Sequence, residues 1–490
     1  MDLDLVIKGG TLVTASERFG ADLGIKDGRI AALAHGLEAP EVIDATSRLV
    51  LPGGIEAHCH IAQESASGLM TADDYRTGSI SAAFGGNSCF VPFAAQHRGM
   101  GVTETLDLYD SRAAGQSMID YSYHLIVADP TEQVLAEELP AAFVRGITSF
   151  KVFLTYDRMR VDDRQFLDIL SVAKAHGALT MVHAENHGLI QWMTERLQAG
   201  GHTAPRYHAI SHPAAAEVEA ISRAILLARF LDAALFIVHV STSEGAALVR
   251  DARLDGAKVF GETCPQYLFL TRDDLDRPGI EGAKFMCSPP PRDSETQAAL
   301  WRHIQAGTFE MVSSDHAPYR FDATGKLAQG ENAPFKQIAN GMPGLAVRLP
   351  LLFSEGVGKG RITLEQFVAL SSTNAARMYG MHPEKGSLGI GADADIAIWD
   401  PDETRTVRLE DQHDAMDYTP YAGLELTGWP VTVLSRGQRV IEDGRLVGAP
   451  SHGKFVARRP VDLSAIPGAT PAELDPARNF GAEIAPRANR

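Results

Sequence analysis

Residues 54–62 read GIEAHCHIA, a short apolar run ending in two histidines, and seven runs of the same kind follow it. They are NSCFVPFA at 87–94, DYSYHLIVA at 120–128, ITSFKVFLTY at 147–156, ALTMVHAEN at 178–186, ALFIVHVST at 234–242, KVFGETCPQY at 258–267 and FEMVSSDHAPY at 309–319. Helical stretches fit between several of them. In EVEAISRAILLARFL at 217–231, Val218, Ile221, Ile225 and Leu226 are expected to share one face at i, i+3, i+4 spacing. Apolar runs alternating with helices indicate a parallel sheet, and eight such runs close a TIM-type (β/α)8 barrel. The expected fold class is α/β, with the barrel over residues 52–385.

Outside the barrel the pattern changes to short strands with tight turns. DLVIKGGTLVT and ADLGIKDGRIAAL open the chain, and ADIAIWD, WPVTVLSRG and QRVIEDGRLVG follow the barrel. The Lys26-Asp27-Gly28 and Glu442-Asp443-Gly444 turns suit tight hairpins. Residues 1–51 and 386–458 are expected to form one smaller β-sandwich together, since chain termini often lie close in space. Residues 459–490, with five prolines and little core pattern, read as a C-terminal arm over a neighbouring surface or frayed.

The 490 residues carry 45 Lys plus Arg against 62 Asp plus Glu, a net charge of −17, which argues against a nucleic-acid partner. Hydrophobic residues at 45% and charged residues at 22% are ordinary for a globular protein. The apolar run AILLARFLDAALFIVHV is broken by Arg229 and Asp232, and the N-terminus has acids where a signal peptide has lysines, so no membrane attachment is expected. Cys59, Cys89, Cys264 and Cys287 form no close pair, and a reducing cytoplasm is the expected location.

Barrel enzymes place their chemistry at the C-terminal ends of the strands. Here those ends carry His58 and His60, Lys151, His183, His239 and the pair Asp315-His316. Residues two apart on a strand face the same side, so His58 and His60 can grip one ion while Cys59 points away. A lysine among such groups has its ammonium disfavoured by burial, which makes the neutral amine available. A neutral amine can combine with carbon dioxide to give a carbamate, an anion able to bridge two metal ions.

The stretches PGGIEAHCH, SFKVFLTY, VHAEN, IVHVS, ETCPQYL, GAKFMCSPPPR, SSDHAPY, IANGMPG and STNAARMYG, followed by KGSLGIGADADIAIWDP and LTGWPV, resemble the dihydropyrimidinase and hydantoinase family of the amidohydrolase superfamily. The resemblance runs in order from about residue 5 to 458. It implies two divalent ions, zinc in the first instance, bridged by N6-carboxylated Lys151, and hydrolytic opening of a cyclic ureide, a dihydropyrimidine or 5-substituted hydantoin, to the N-carbamoyl amino acid. His58 and His60, with Asp315, look like ligands of the more buried ion, and His183 and His239 of the other. Two ions sharing a hydroxide would supply the nucleophile, with Asp315 as the base that passes its proton to the leaving nitrogen. Tyr156 resembles the phenol that donates to the oxyanion, and Ser288 and Asn340 the residues whose backbone groups read the ureide. The family further implies a homo-oligomer, tetramer or dimer.

One segment departs from the family pattern. After the two histidines the known members continue with Leu-Asp-Met-Pro-Phe or close to it, whereas this chain reads Ile61-Ala62-Gln63-Glu64-Ser65. An apolar wall replaced by polar residues favours a more polar substrate, so allantoinase-like or cyclic-imide hydrolysis is the alternative. Dihydroorotase is disfavoured, because no arginine follows His60 to hold a substrate carboxylate. A non-catalytic scaffold of the collapsin-response mediator type would have lost metal ligands, and the whole set is retained here.

Overall fold

The computed structural model describes residues 2–65, 68–466, 468 and 470–484. Among the described residues all eight runs form strands of one parallel barrel: Gly54–Cys59, Asn87–Ala95, Asp120–Tyr121 continued by His124–Ile126, Ser149–Phe153, Leu179–His183, Leu235–Ile237, Val259–Thr263 and Met311–Val312. Each pairs in parallel register with its neighbour, for instance Lys151 with Met181 and Glu262 with Met311. Closure comes from a parallel bridge of Cys59 with His316, where the His60 N–H donates to the His316 carbonyl at 2.7 Å.

The barrel interior is filled by Ile55, Ala57, Val91, Phe93, Met181, Phe236 and Phe260, while a larger apolar layer lies between strands and helices. Alternation from Ile55 and Ala57 would send Cys59 inward and the histidines outward. The pairing of the first strand slips between Glu56 and Cys59, and Cys59 joins the outer layer instead. A bulge of this kind re-aims side chains next to a site, and it turns His58 and His60 toward the barrel axis.

The helix expected at 217–231 spans Ala214–Leu231, but its buried face differs from the expected one. Ala216, Glu217, Ala220, Ile221, Ala224, Ile225 and Ala228 face inward, Val218 is half-buried and Leu226 is exposed. Small alanines let this helix sit close to the barrel, and weighting the large residues alone rotates the predicted face.

Both chain ends build the flanking β-structure. One sheet takes Leu5–Lys8, Asp22–Lys26, Arg29–Ala34 and Glu41–Asp44, and a second joins Thr11–Val13, Arg18–Gly20 and Leu49–Pro52 to Ile396–Thr406, Glu425–Ser435, Gln438–Glu442 and Arg445–Leu446. Leu49–Pro52 pairs antiparallel with Ile396–Trp399, so the expected union of the two ends is observed. Leu5, Ile7, Leu12, Ile25, Val50, Ile396, Ile398 and Leu434 form their shared core. Asp27-Gly28 and Asp443-Gly444 have positive φ at both residues, as a two-residue hairpin turn requires.

The first residues of the C-terminal arm run against the barrel. The Arg459 N–H donates to the Gly380 carbonyl at 3.1 Å, and Val461, Leu463 and Ile466 pack against the barrel-interior cluster. Residues 485–490 of the arm lie outside the described residues.

Candidate active site

The residues expected at the strand ends converge at the barrel mouth. Asp315 Oδ1 lies 3.0 Å from His58 Nε2 and 3.3 Å from His60 Nε2, and Lys151 Nζ lies 2.9 Å from that same His58 nitrogen. The donor atoms of His58, His60 and Asp315 all lie within 4.8 Å of one another, as ligands of one ion must. The His239 ring packs 4.5 Å from that of His183 and 5.4 Å from that of His58. His183 and His239 thus lie against the same centre from the adjacent strands.

Burial sets the charge states. His60, His183 and His239 are pushed below the ordinary histidine range chiefly by desolvation, which leaves neutral imidazoles with lone pairs to give. For His58, burial and Lys151 press downward, but Glu262 and Asp315 outweigh them and the net direction is up. Burial would raise Asp315, yet His58 and His60 hold it well below the usual carboxylate range. Desolvation pushes Lys151 down to about 8, against the pull of Asp315 and Glu262, so about a tenth of its amine is free at pH 7. Its Nζ sits 4.1 Å from the centre of the Phe93 ring and 5.0 Å from that of Phe153.

The substrate side adjoins this centre. The Tyr156 ring packs 5.2 Å from that of His183, and burial with Glu185 raises the pKa of its phenol while the Ser288 side chain beside it pulls the other way. Ser288 Oγ lies 3.3 Å from His208 Nε2. Asn340 follows on the next loop, where the Gly341 N–H donates to the Met286 carbonyl. A Cβ on Gly341, whose φ is +145°, would lie 2.5 Å from the Ala317 carbonyl oxygen, so glycine is what lets this loop close on the one after Asp315. The buried Oδ1 of Asn340 has no hydrogen-bond partner among the described residues. Tyr156, His239 and Asp315 all adopt left-handed backbone conformations, at φ 72°, 41° and 48°. Such non-glycine outliers cluster where structure is held for function.

Sequence reasoning missed three side chains. Glu262 contacts His58 Nδ1, Glu185 Oε2 lies 2.9 Å from His183 Nε2, and Gln63 Oε1 lies 2.7 Å from His60 Nδ1. A signal existed for two of them: Glu185 stands two residues beyond His183, and Glu262 is an acid inside an apolar run. Gln63 was expected on the wall facing the substrate, and its carbonyl instead turns to a histidine. Ser65 Oγ accepts from the Leu69 N–H at 3.1 Å within the same loop.

The donor set fits divalent metal. His239 Nδ1 is buried with no hydrogen-bond partner among the described residues, and Lys151 meets an imidazole nitrogen rather than a carboxylate. Imidazole and carboxylate donors backed by buried carboxylates are the usual surroundings of such an ion.

The Amidohydrolase family pattern matches residues 49–440. A D-hydantoinase of Rhizobium radiobacter is 44% identical over 459 residues, covering 93% of this chain and 99% of its own. A solved structure of D-hydantoinase has a TM-score of 0.91 at 43% identity, covering 94% of this chain and 100% of that one. The crystal structure of dihydropyrimidinase from Brevibacillus agri NCHU1002 gives 0.90 at 40% identity, covering 93% and 99%.

Proposed function

The chain belongs to the amidohydrolase family, in its hydantoinase and dihydropyrimidinase branch, and from that premise we propose that it opens the ring of a cyclic ureide by hydrolysis. The substrate class is a dihydropyrimidine or 5-substituted hydantoin, and the product is the N-carbamoyl amino acid. The observation that carries this reading is the convergence of His58, His60, Lys151, His183, His239 and Asp315 from five strand ends.

His58, His60 and Asp315 would hold one ion and His183 and His239 the other, with Lys151 between them as its N6-carboxylate. Zinc suits these nitrogen and oxygen donors. When bound, the pair of ions polarises the substrate carbonyl and brings the pKa of water from about 15.7 toward neutrality. The chain's own residues do the rest. Asp315 takes a proton as the water oxygen bonds to the ring carbonyl carbon, then delivers it to the ring nitrogen as the C–N bond breaks. Tyr156, kept protonated by its burial, donates its hydroxyl to the oxyanion formed between those steps. Backbone groups at Ser288 and Asn340 read the ring N–H and C=O and fix which carbonyl faces the water.

A more polar ring, as in allantoin or a cyclic imide, is favoured by one observation: Glu64 stands where the family pattern has an apolar wall. The four cysteines are free thiols, which fits a cytoplasmic location, and the family suggests a tetramer or dimer. No described helix is long and apolar enough to cross a membrane. The test is a panel of dihydropyrimidines, hydantoins, allantoin and cyclic imides assayed for ring opening by zinc-loaded protein. Turnover of at least one ureide is expected, and inertness toward all of them would overturn the reading.

A further inference from the structure

The four imidazoles at the barrel mouth differ in what holds their second nitrogen. A carboxylate, Glu262, contacts His58 Nδ1, and another, Glu185, contacts His183 Nε2. His239 Nδ1 has no hydrogen-bond partner among the described residues. For His60 the partner is a neutral amide, with Gln63 Oε1 2.7 Å from Nδ1. An amide oxygen only accepts, so Nδ1 carries the proton and the lone pair sits on Nε2. That nitrogen is the one lying 3.3 Å from Asp315 Oδ1, on the side of the shared ligand cluster.

Gln63 is itself held in place. Its N–H donates to Thr71 Oγ1 at 3.0 Å, and its C=O accepts from the Thr71 N–H at 2.9 Å. The chain reaches this position through Ala62, a left-handed residue at φ 47° whose carbonyl is gripped by Arg112 Nη1 at 2.7 Å. A left-handed alanine costs on the order of 1 kcal/mol, and here the surrounding bonds maintain it. The turn carries Gln63 back over His60, and the residue is 8% exposed.

We infer that Gln63 is a positioning residue for His60, fixing the tautomer and ring orientation with which that histidine meets a divalent ion. It does with a neutral acceptor what Glu262 and Glu185 do with charged ones. The assignment gives a physical role to one residue of the departing segment, in place of the substrate-wall role that its sequence position suggests. It rests on the metal-site reading above.

The test strips wild type, Gln63→Leu, Gln63→Met and Gln63→Glu of metal and titrates each with Zn2+ against a chromophoric chelator of known affinity. The unfolding midpoint of each stripped protein is measured as a control for folding. Gln63→Leu and Gln63→Met should bind the weaker of two zinc equivalents roughly 10- to 100-fold less tightly, the usual loss when a ligand's outer partner is removed. Gln63→Glu, which keeps the acceptor and adds charge, should match or exceed wild type. Equal affinity in wild type and either apolar variant, or a Glu variant as weak as the Leu one, overturns the inference. If the Leu variant fails to fold, the Met and Glu variants decide by the same criteria. Absence of zinc uptake by wild type is a different pattern, and would overturn the metal-site reading together with this one.

Discussion

Two buried lysines sit on opposite sides of the same barrel and meet opposite fates. Lys385, 2% exposed at the N-terminal ends of the strands, donates to Asp120 at 2.8 Å, Asp393 at 3.2 Å and Asp395 at 2.6 Å. Lys151, 1% exposed at the C-terminal ends, finds one imidazole nitrogen and no carboxylate within salt-bridge distance among the described residues. Burial pulls both ammonium groups downward. Asp395, with Cys89 and Asp393, outweighs it and raises Lys385, whereas Lys151 falls to about 8. Burial alone therefore does not make a lysine reactive. A closed cluster satisfies every N–H and serves the fold, while an open one leaves the amine free to become a ligand.

Exchanging the two effects is the strongest way to break that comparison. Lys151→Ala should lose most bound metal and essentially all activity while keeping its unfolding midpoint close to that of metal-stripped wild type. Lys385→Met should keep both metal equivalents but lose about 3–5 kcal/mol of stability, because Asp395 is left buried without a cation while Asp120 and Asp393 keep only Arg436 and Arg29. Metal analysis and denaturant unfolding of both variants check this. A Lys151→Ala protein that unfolds early with its metal retained would reverse the assignment.

Asp315→Asn comes next, with kcat expected to fall by about 10²–10⁴ because an amide cannot carry the proton. Steady-state kinetics should show KM changing far less than kcat. For Tyr156→Phe the expected cost is about 2.7–4 kcal/mol in the barrier, read as a fall in kcat. An effect confined to KM would make Tyr156 a ground-state contact only.

The smallest effect sharpens the comparison with a third buried lysine. Among the described residues Lys326 Nζ donates only to the carbonyls of Met286 at 3.3 Å and Ala339 at 2.8 Å, and burial pushes it down to about 7. The unfolded chain holds that proton up to about pH 10.4, so between pH 7 and 10 the unfolded state binds more protons and stability rises with pH. Wild type should gain about 1 kcal/mol or more relative to Lys326→Met between pH 7 and 9.5 in denaturant melts. Parallel pH profiles for the two proteins would show that the ammonium finds solvent or a partner.

Much of this was legible in the sequence, for identifiable reasons. The eight β-runs could be read because parallel barrel strands are buried on both faces and so appear as continuous apolar stretches. The cluster of candidate ligands could be read because ionisable groups at the ends of such runs are rare without a purpose. The phase slip at Glu56–Cys59 could not, since a bulge is a property of pairing rather than of one strand's pattern. Nor could the alanine face of the 214–231 helix, where closeness of packing outweighed side-chain size. Gln63 was hidden for another reason: whether an amide faces a substrate or a histidine depends on the left-handed turn at Ala62, and alanine gives no sign of that conformation in advance.

The account as a whole depends on metal at the open end of the barrel. Chelator-stripped wild-type protein should open no cyclic ureide. Stepwise addition of Zn2+ should restore ring opening, measured as N-carbamoyl product, until two equivalents per chain are bound. Activity indifferent to metal, or no product from any ureide at two equivalents, would contradict the account.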